Sequence, residues 1–293
     1  MALALRSTSA RVPGLRLRLA PELPSVKALG LHDPNALLED PLPQDRAERL
    51  VSDGGFERWR FPLPGTPLAP GGPMTERPQG AGTGWVRLER WRGGTWRTRW
   101  SARFSAPRSA SLAERHWNLL CLLRAHGIGT QEPWAVGAVE GGLFAPASFL
   151  VTREFETPTR RLSDLLGGDE ELDLGLLASA MAATFRALET ARLVLPRLGP
   201  RNVWVQFGDH AHDEGDCGLQ QIATWREDRA LGGLARDPRP AILLADVRGG
   251  RVRTRGVEPS VSRAVERLDL GLTGLEPAAR DRGKELVDRL RRG

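Results

Sequence analysis

The sequence predicts a mixed α+β fold in two lobes, the first small and rich in strands, the second mainly helical. Three observations carry this. Strand-like runs crowd the stretch up to residue 155; the two strongest helical patterns fall at 111–126 and 174–190; and the apolar run Ala241-Ile242-Leu243-Leu244-Ala245 stops at Asp246 as a buried strand does. A chain of 293 residues buries a sizeable core and leaves room for two lobes around one cleft.

Residues 1–50 are read as a poorly ordered basic arm. Its first acidic residue is Glu22, and its first twenty residues are rich in Arg and Leu without the continuous apolar run of a secretory signal. Residues 51–155 are read as the β-rich lobe. Pro62, Pro64, Pro67, Pro70, Gly71, Gly72, Pro73 and Pro78 loosen its edge. Strands are expected at 56–61, where Phe56, Arg58 and Arg60 alternate with Glu57, Trp59 and Phe61, and at 84–90. From 111 to 126, Leu112, Trp117, Leu119, Leu120, Leu122 and Leu123 make a broad apolar face, with Ser111 as N-cap and Gly127 as the stop. Residues 128–139, with Pro133 and Gly137, suggest a turn and a strand. Residues 148–152 form a short apolar strand running into Arg153-Glu154-Phe155. The second lobe, 156–293, opens with the helix at 174–190 and continues through Leu195-Pro196-Arg197-Leu198-Gly199-Pro200-Arg201-Asn202, the strand Val203-Trp204-Val205, a polar insertion at about 206–239, and the strand ending at Asp246.

Composition limits the function classes. No apolar run reaches the roughly 18–20 residues of a membrane helix, so a cytoplasmic protein is expected, with peripheral contact at the inner face of the membrane left open. Formal charge is +6, and of 42 basic residues only Lys27 and Lys284 are lysines. Arg pairs bidentately with phosphate or carboxylate, which favours an acidic ligand, although such Arg use without any Tyr also reads as nucleotide composition of the genome. Cys121 and Cys217 are too few and too far apart for a disulfide framework or a zinc ribbon.

The order of helix, strand with linker, helix, loop ending in Asn, and strand ending in Asp is similar to that of protein-kinase-like folds. More narrowly, the chain carries Arg115-His116-Trp117-Asn118-Leu119-Leu120, then His126-Gly127-Ile128-Gly129-Thr130, Pro133, Gly137 and Phe149-Leu150-Val151-Thr152. This series resembles the bacterial lipopolysaccharide kinase family, which acts on the Kdo or heptose sugars of the inner core. The resemblance covers about residues 84–274 and implies a protein-kinase-like fold using ATP and magnesium.

Carried across position by position, the resemblance implies a damaged site. The phosphate-holding Lys of the third strand falls on Arg87, and its helix Glu falls on His116, with Glu114 as an alternative anion two residues earlier. Glu154 and Phe155 stand in the linker among the cofactor-binding positions. Asn202 and Asp246 keep the metal positions, and the family commonly has an Arg two residues after that Asp, as Arg248 is here. The catalytic Asp becomes Arg197, and the His before it becomes Leu195. Arg cannot serve as a general base near neutral pH, and no Asp or Glu occurs from Thr190 to Phe207 to replace it. A guanidinium there also opposes a metal held by Asn202 and Asp246.

These departures lead to a lipopolysaccharide-kinase-like pseudokinase with a binding or scaffolding role, whose partners are a phosphorylated glycolipid or other acidic ligand and a protein. The first alternative is an atypical ATP-dependent phosphotransferase acting on a lipopolysaccharide core sugar or other glycolipid; a loose transition state needs positioning and charge neutralisation more than a strong base. The second is an Arg/Trp-rich nucleic-acid or anionic-surface module built on residues 90–104, where packing of the Trp residues under a solvated Arg face is the plainer reading, and nucleic acid is the less favoured partner. His210, His212, Asp213, Asp216 and Cys217 match no established metal spacing and read as part of a polar insertion. Gly141-Gly142 and Gly249-Gly250 read as turns, and residues 80–84 as a weak phosphate-loop signal.

Overall fold

The computed structural model describes residues 8–12, 14–20, 37–38, 47–53, 55–63, 84–92, 111–139, 147–155, 159–170, 172–206, 240–248, 250–252 and 260–292. Outside these lie most of the Arg/Trp-rich segment, the His210–Cys217 cluster, Gly141-Gly142, Gly249 and all but Gly84 of the glycine-rich 80–84. The chain divides into two compact units, Met1–Leu122 with Gln131–Thr157, and Leu123–Thr130 with Pro158–Gly293.

The first unit is built on a seven-stranded antiparallel sheet. Its strands are β1 (Thr8–Val12), β2 (Leu15–Leu19), β3 (Glu48–Asp53), β4 (Phe56–Pro62), β5 (Trp85–Trp91), and, beyond helix α1 (Leu112–Ala125) and the short strand β6 (Gly129–Thr130), β7 (Glu132–Val139) and β8 (Ser148–Arg153). The spatial order is β1-β2-β7-β8-β5-β4-β3. The period of two sorts the side chains into contrasting faces. Leu15, Leu17, Leu19, Phe61, Val86, Leu88, Ala135, Phe149 and Val151 share an apolar core with Leu37. Alternate positions put Arg58, Arg60, Arg87 and Glu89 on the other face, across the matched pairs Arg60↔Arg87 and Arg58↔Glu89.

Two strands of this sheet correct the reading of residues 1–50 as a poorly ordered arm. β1 and β2 form a hairpin, and β2 pairs with β7 from Leu15↔Val139 to Leu19↔Ala135. The reason lies in Leu15-Arg16-Leu17-Arg18-Leu19: three leucines on one side need burial, and β7 offers an edge. All three are buried. Pro133 is tolerated inside β7 because it sits at an irregularity before Ala135, where pairing with β2 has ended.

Helix α1 starts on a capping box. Ser111 Oγ accepts from the Glu114 N–H at 3.1 Å, and Glu114 Oε2 accepts from the Ser111 N–H at 2.7 Å. It ends in a Schellman motif: Gly127 at φ +69°, with Ile128 N–H donating to Leu123 O and Gly127 N–H to Arg124 O, both at 2.9 Å.

The second unit holds a four-stranded sheet, β6-β12-β11-β9, and a two-stranded ribbon, β10-β13. Its elements are β9 (Thr159–Arg161), α2 (Leu162–Gly167), α3 (Leu174–Thr190), β10 (Leu193–Val194), β11 (Val203–Gln206), β12 (Ala241–Leu244), β13 (Arg251–Val252), α4 (Val261–Leu272) and α5 (Pro277–Arg292). Asp173 caps α3 by accepting from the N–H groups of Gly175 and Leu176. The face made by Leu174, Leu177, Met181, Phe185 and Leu188 is buried, and α3 packs against α5 and α4.

Candidate functional site

Each unit gathers part of the set expected from the sequence. In the second unit, β10 leads into the loop 195–202 and β11 leaves it. β12 leads to Asp246, and β13 follows. Antiparallel pairing of β11 with β12, from Val203↔Leu244 to Gln206↔Ala241, and of β10 with β13 brackets the loop and Asp246 on both sides. The register sets Asn202 beside Ala245, whose N–H donates to Asn202 O at 2.8 Å. Asn202 and Asp246 therefore come together by strand geometry.

The loop is tied down along its length. Leu195 and Leu198 are buried. Arg267 of α4 donates to Leu195 O at 3.0 Å, Arg201 to Gly274 O at 3.1 Å, and the Ser163 N–H to Pro200 O at 3.0 Å. Asn202 turns its amide inward, Nδ2 donating to Arg197 O at 2.7 Å. Leu195 is buried where the resemblance has a His, while Arg197 stands out of the loop with its side chain 56% exposed.

Asp246 sits at φ +50°, in the left-handed region where Asp is among the few non-glycine residues found. Both its carboxylate oxygens are engaged by Arg248, Nε on Oδ1 and Nη2 on Oδ2, the latter at 2.8 Å. Arg197 Nη1 is 3.7 Å from Oδ2. Thus two guanidinium groups flank one carboxylate that is only 14% exposed. At an effective dielectric of about 20, unit charges ~4 Å apart interact by ~4 kcal/mol, less where solvent screens an exposed partner such as Arg197.

This donor set does not fit a magnesium ion. Magnesium takes near-octahedral oxygen ligation, whereas here both oxygens of the Asp246 carboxylate are already bridged by a guanidinium. Among the described residues no group of three or more His, Cys, Asp or Glu side chains could hold a metal ion.

In the first unit, Arg87 and His116 are both buried, but they do not meet as a pair. Arg87 Nη2 lies 3.4 Å from Glu154 Oε1, and Arg60 Nε lies 3.1 Å from Glu154 Oε2. Arg87 nonetheless has an anion, Glu154, which directly follows β8. His116 Nδ1 instead lies 2.9 Å from Oε2 of Glu89, which also takes Arg58 at 2.7 Å. Glu114 is occupied by the capping box and by Arg16 at 3.4 Å, so it does not stand in for the anion either. Phe155 is buried beside Glu154 in the chain. Burial pushes the Arg87 pKa below its ordinary value, with Glu154 opposing the shift. Glu89 is the residue the sequence reading missed; its signal was the run Trp85, Arg87, Glu89, in which two opposite charges share one strand face.

The fold defines the class: a mixed α+β chain with an antiparallel sheet in its N-terminal region and helices in its C-terminal region, as in kinase-like folds. Among solved structures, "WaaP in complex with acyl carrier protein" is similar, with a TM-score of 0.51 and 14% identity over 94% of this chain and 91% of that one. No protein-family profile matches the chain, and no curated protein sequence is similar to it. No helix among the described residues is long and apolar enough to cross a membrane.

Proposed function

We propose that this chain is a lipopolysaccharide-kinase-like pseudokinase that works by binding rather than by phosphoryl transfer. The observation that carries the reading is Arg197, a permanent cation where a general base is needed, 3.7 Å from the one carboxylate of the loop region. Likeness in fold to WaaP supports the kinase-like half of the reading. That WaaP is seen with acyl carrier protein supports a protein partner for the binding half, and a net charge of +6 favours an acidic one, whether protein or phosphorylated glycolipid.

The test is a titration of the full chain with ATP, with and without magnesium, followed by thermal unfolding, beside a phosphate-transfer assay on lipopolysaccharide core sugars. We expect no transfer above background from wild type and no change on Asp246→Ala. Metal-dependent transfer that disappears in Asp246→Ala would establish the phosphotransferase in its place.

A further inference from the structure

We infer that Arg248 is the resident cation of the Asp246 site and closes it to divalent metal. The inference rests on the pseudokinase reading and adds, beside Arg197, a second cation at the position where the family resemblance implies a metal.

Three features of the second unit support it. The guanidinium of Arg248 meets both oxygens of Asp246 in a fork, the arrangement in which Arg binds carboxylate most strongly and most specifically. Its side chain is only 19% exposed and that of Asp246 only 14%, so water competes poorly for either. The fork is also held by the backbone. Asp246 follows β12, Val247 is buried, the Gly250 N–H donates to Val247 O at 3.0 Å, and β13 then pairs with β10. One residue, Val247, separates Asp246 from Arg248, and both ends of that stretch are fixed.

What is left for a metal is small. With Arg197 3.7 Å from the same carboxylate, two positive groups face one negative group, and the local charge opposes a dication. Asn202 would offer one oxygen, Oδ1, its Nδ2 donating to Arg197 O at 2.7 Å. No further Asp or Glu lies between Thr190 and Phe207. The loop and Asp246 thus keep their arrangement with an internal ion pair in the place of a bound ion.

Manganese(II) is a suitable probe, because its paramagnetic resonance signal is lost when the ion is bound. Titrated without nucleotide, wild type is expected to leave the free-ion signal unchanged to millimolar metal. Arg248→Gln is expected to gain one site per chain, at least about tenfold tighter than any binding by wild type, as the freed carboxylate becomes available. Arg248→Gln combined with Asp246→Asn should lose that site again. Failure of a folded Arg248→Gln variant to gain the site would overturn the inference. So would a wild-type manganese site that Asp246→Asn abolishes, a comparison that stands even if Arg248→Gln does not fold. Because no nucleotide is present, this outcome is independent of the pseudokinase reading: phosphate transfer that persists in EDTA would sink that reading and leave this one intact.

Discussion

Glu154 is shared by two buried guanidinium groups, Arg60 and Arg87, and this makes its replacement unequal to theirs. Glu154→Gln removes the carboxylate both cations face and is expected to destabilise the chain by roughly 3–5 kcal/mol. Arg87→Met leaves Glu154 with Arg60 and removes a guanidinium whose burial already disfavours its charge, so a loss of about 1–2 kcal/mol is expected. Urea unfolding of the two variants checks the order, and equal losses would refute the shared-anion account. The lowered Arg87 pKa also gives a sign. The folded state would release that proton before the unfolded state, so any stability gain from it comes only as pH rises through the lowered value toward the ordinary one. Below it the group contributes no slope. Gly127, at φ +69° in the Schellman motif, gives a simpler case: Gly127→Ala meets no steric obstacle in space but must adopt a left-handed backbone, at a cost of about 1 kcal/mol in the same assay.

At the scale of elements, β2 is part of the first unit's core. Leu17 is buried on β2 and belongs to the same apolar cluster as Val86, Phe149 and Val151. Leu17→Ala is therefore expected to cost about 2–5 kcal/mol, read as a lowered midpoint of denaturation; a surface-like effect of a few tenths would return residues 1–50 to the status of an arm. The loop 195–202 depends on α4 in a similar way. A Cβ on Gly271 would stand 2.7 Å from Pro200 Cδ and 3.1 Å from Gly199 Cα. Gly271→Ala should thus push the loop away from α4 and disturb Arg197 and Asn202 without touching them. Altered amide chemical shifts at 197–202, with helix content unchanged, would show it.

At the scale of the molecule, the chain passes between its two units three times, since Leu123–Thr130 belongs with Pro158–Gly293. The consequence is local: β6 pairs in parallel with β12, and Thr130 Oγ1 donates to Leu244 O at 2.8 Å. A fragment beginning at Pro158 lacks that strand and exposes an edge of the β6-β12-β11-β9 sheet. We expect it to be less soluble and less cooperative in unfolding than the whole chain, as sedimentation and thermal melts would reveal; a monomeric fragment with a sharp transition would show the strand to be dispensable.

By itself the sequence determined the elements whose signals are local: Ser111 and Gly127 as the stops of α1, the span of α3, the strands around Phe56–Pro62, Trp85–Trp91 and Ser148–Arg153, and the α+β class. Caps, periodicity and breakers act over a few residues, so they can be read along the chain. It also fixed the absence of any carboxylate over 190–207, which is a matter of composition. Tertiary structure alone decided who pairs with whom. The three leucines of β2 looked like part of a basic tail until β7 gave them an edge, and the anion for Arg87 came from Glu154, sixty-seven residues away. A buried charge must find an opposite charge within a few ångströms, but sheet register, not separation in sequence, settles which one it finds.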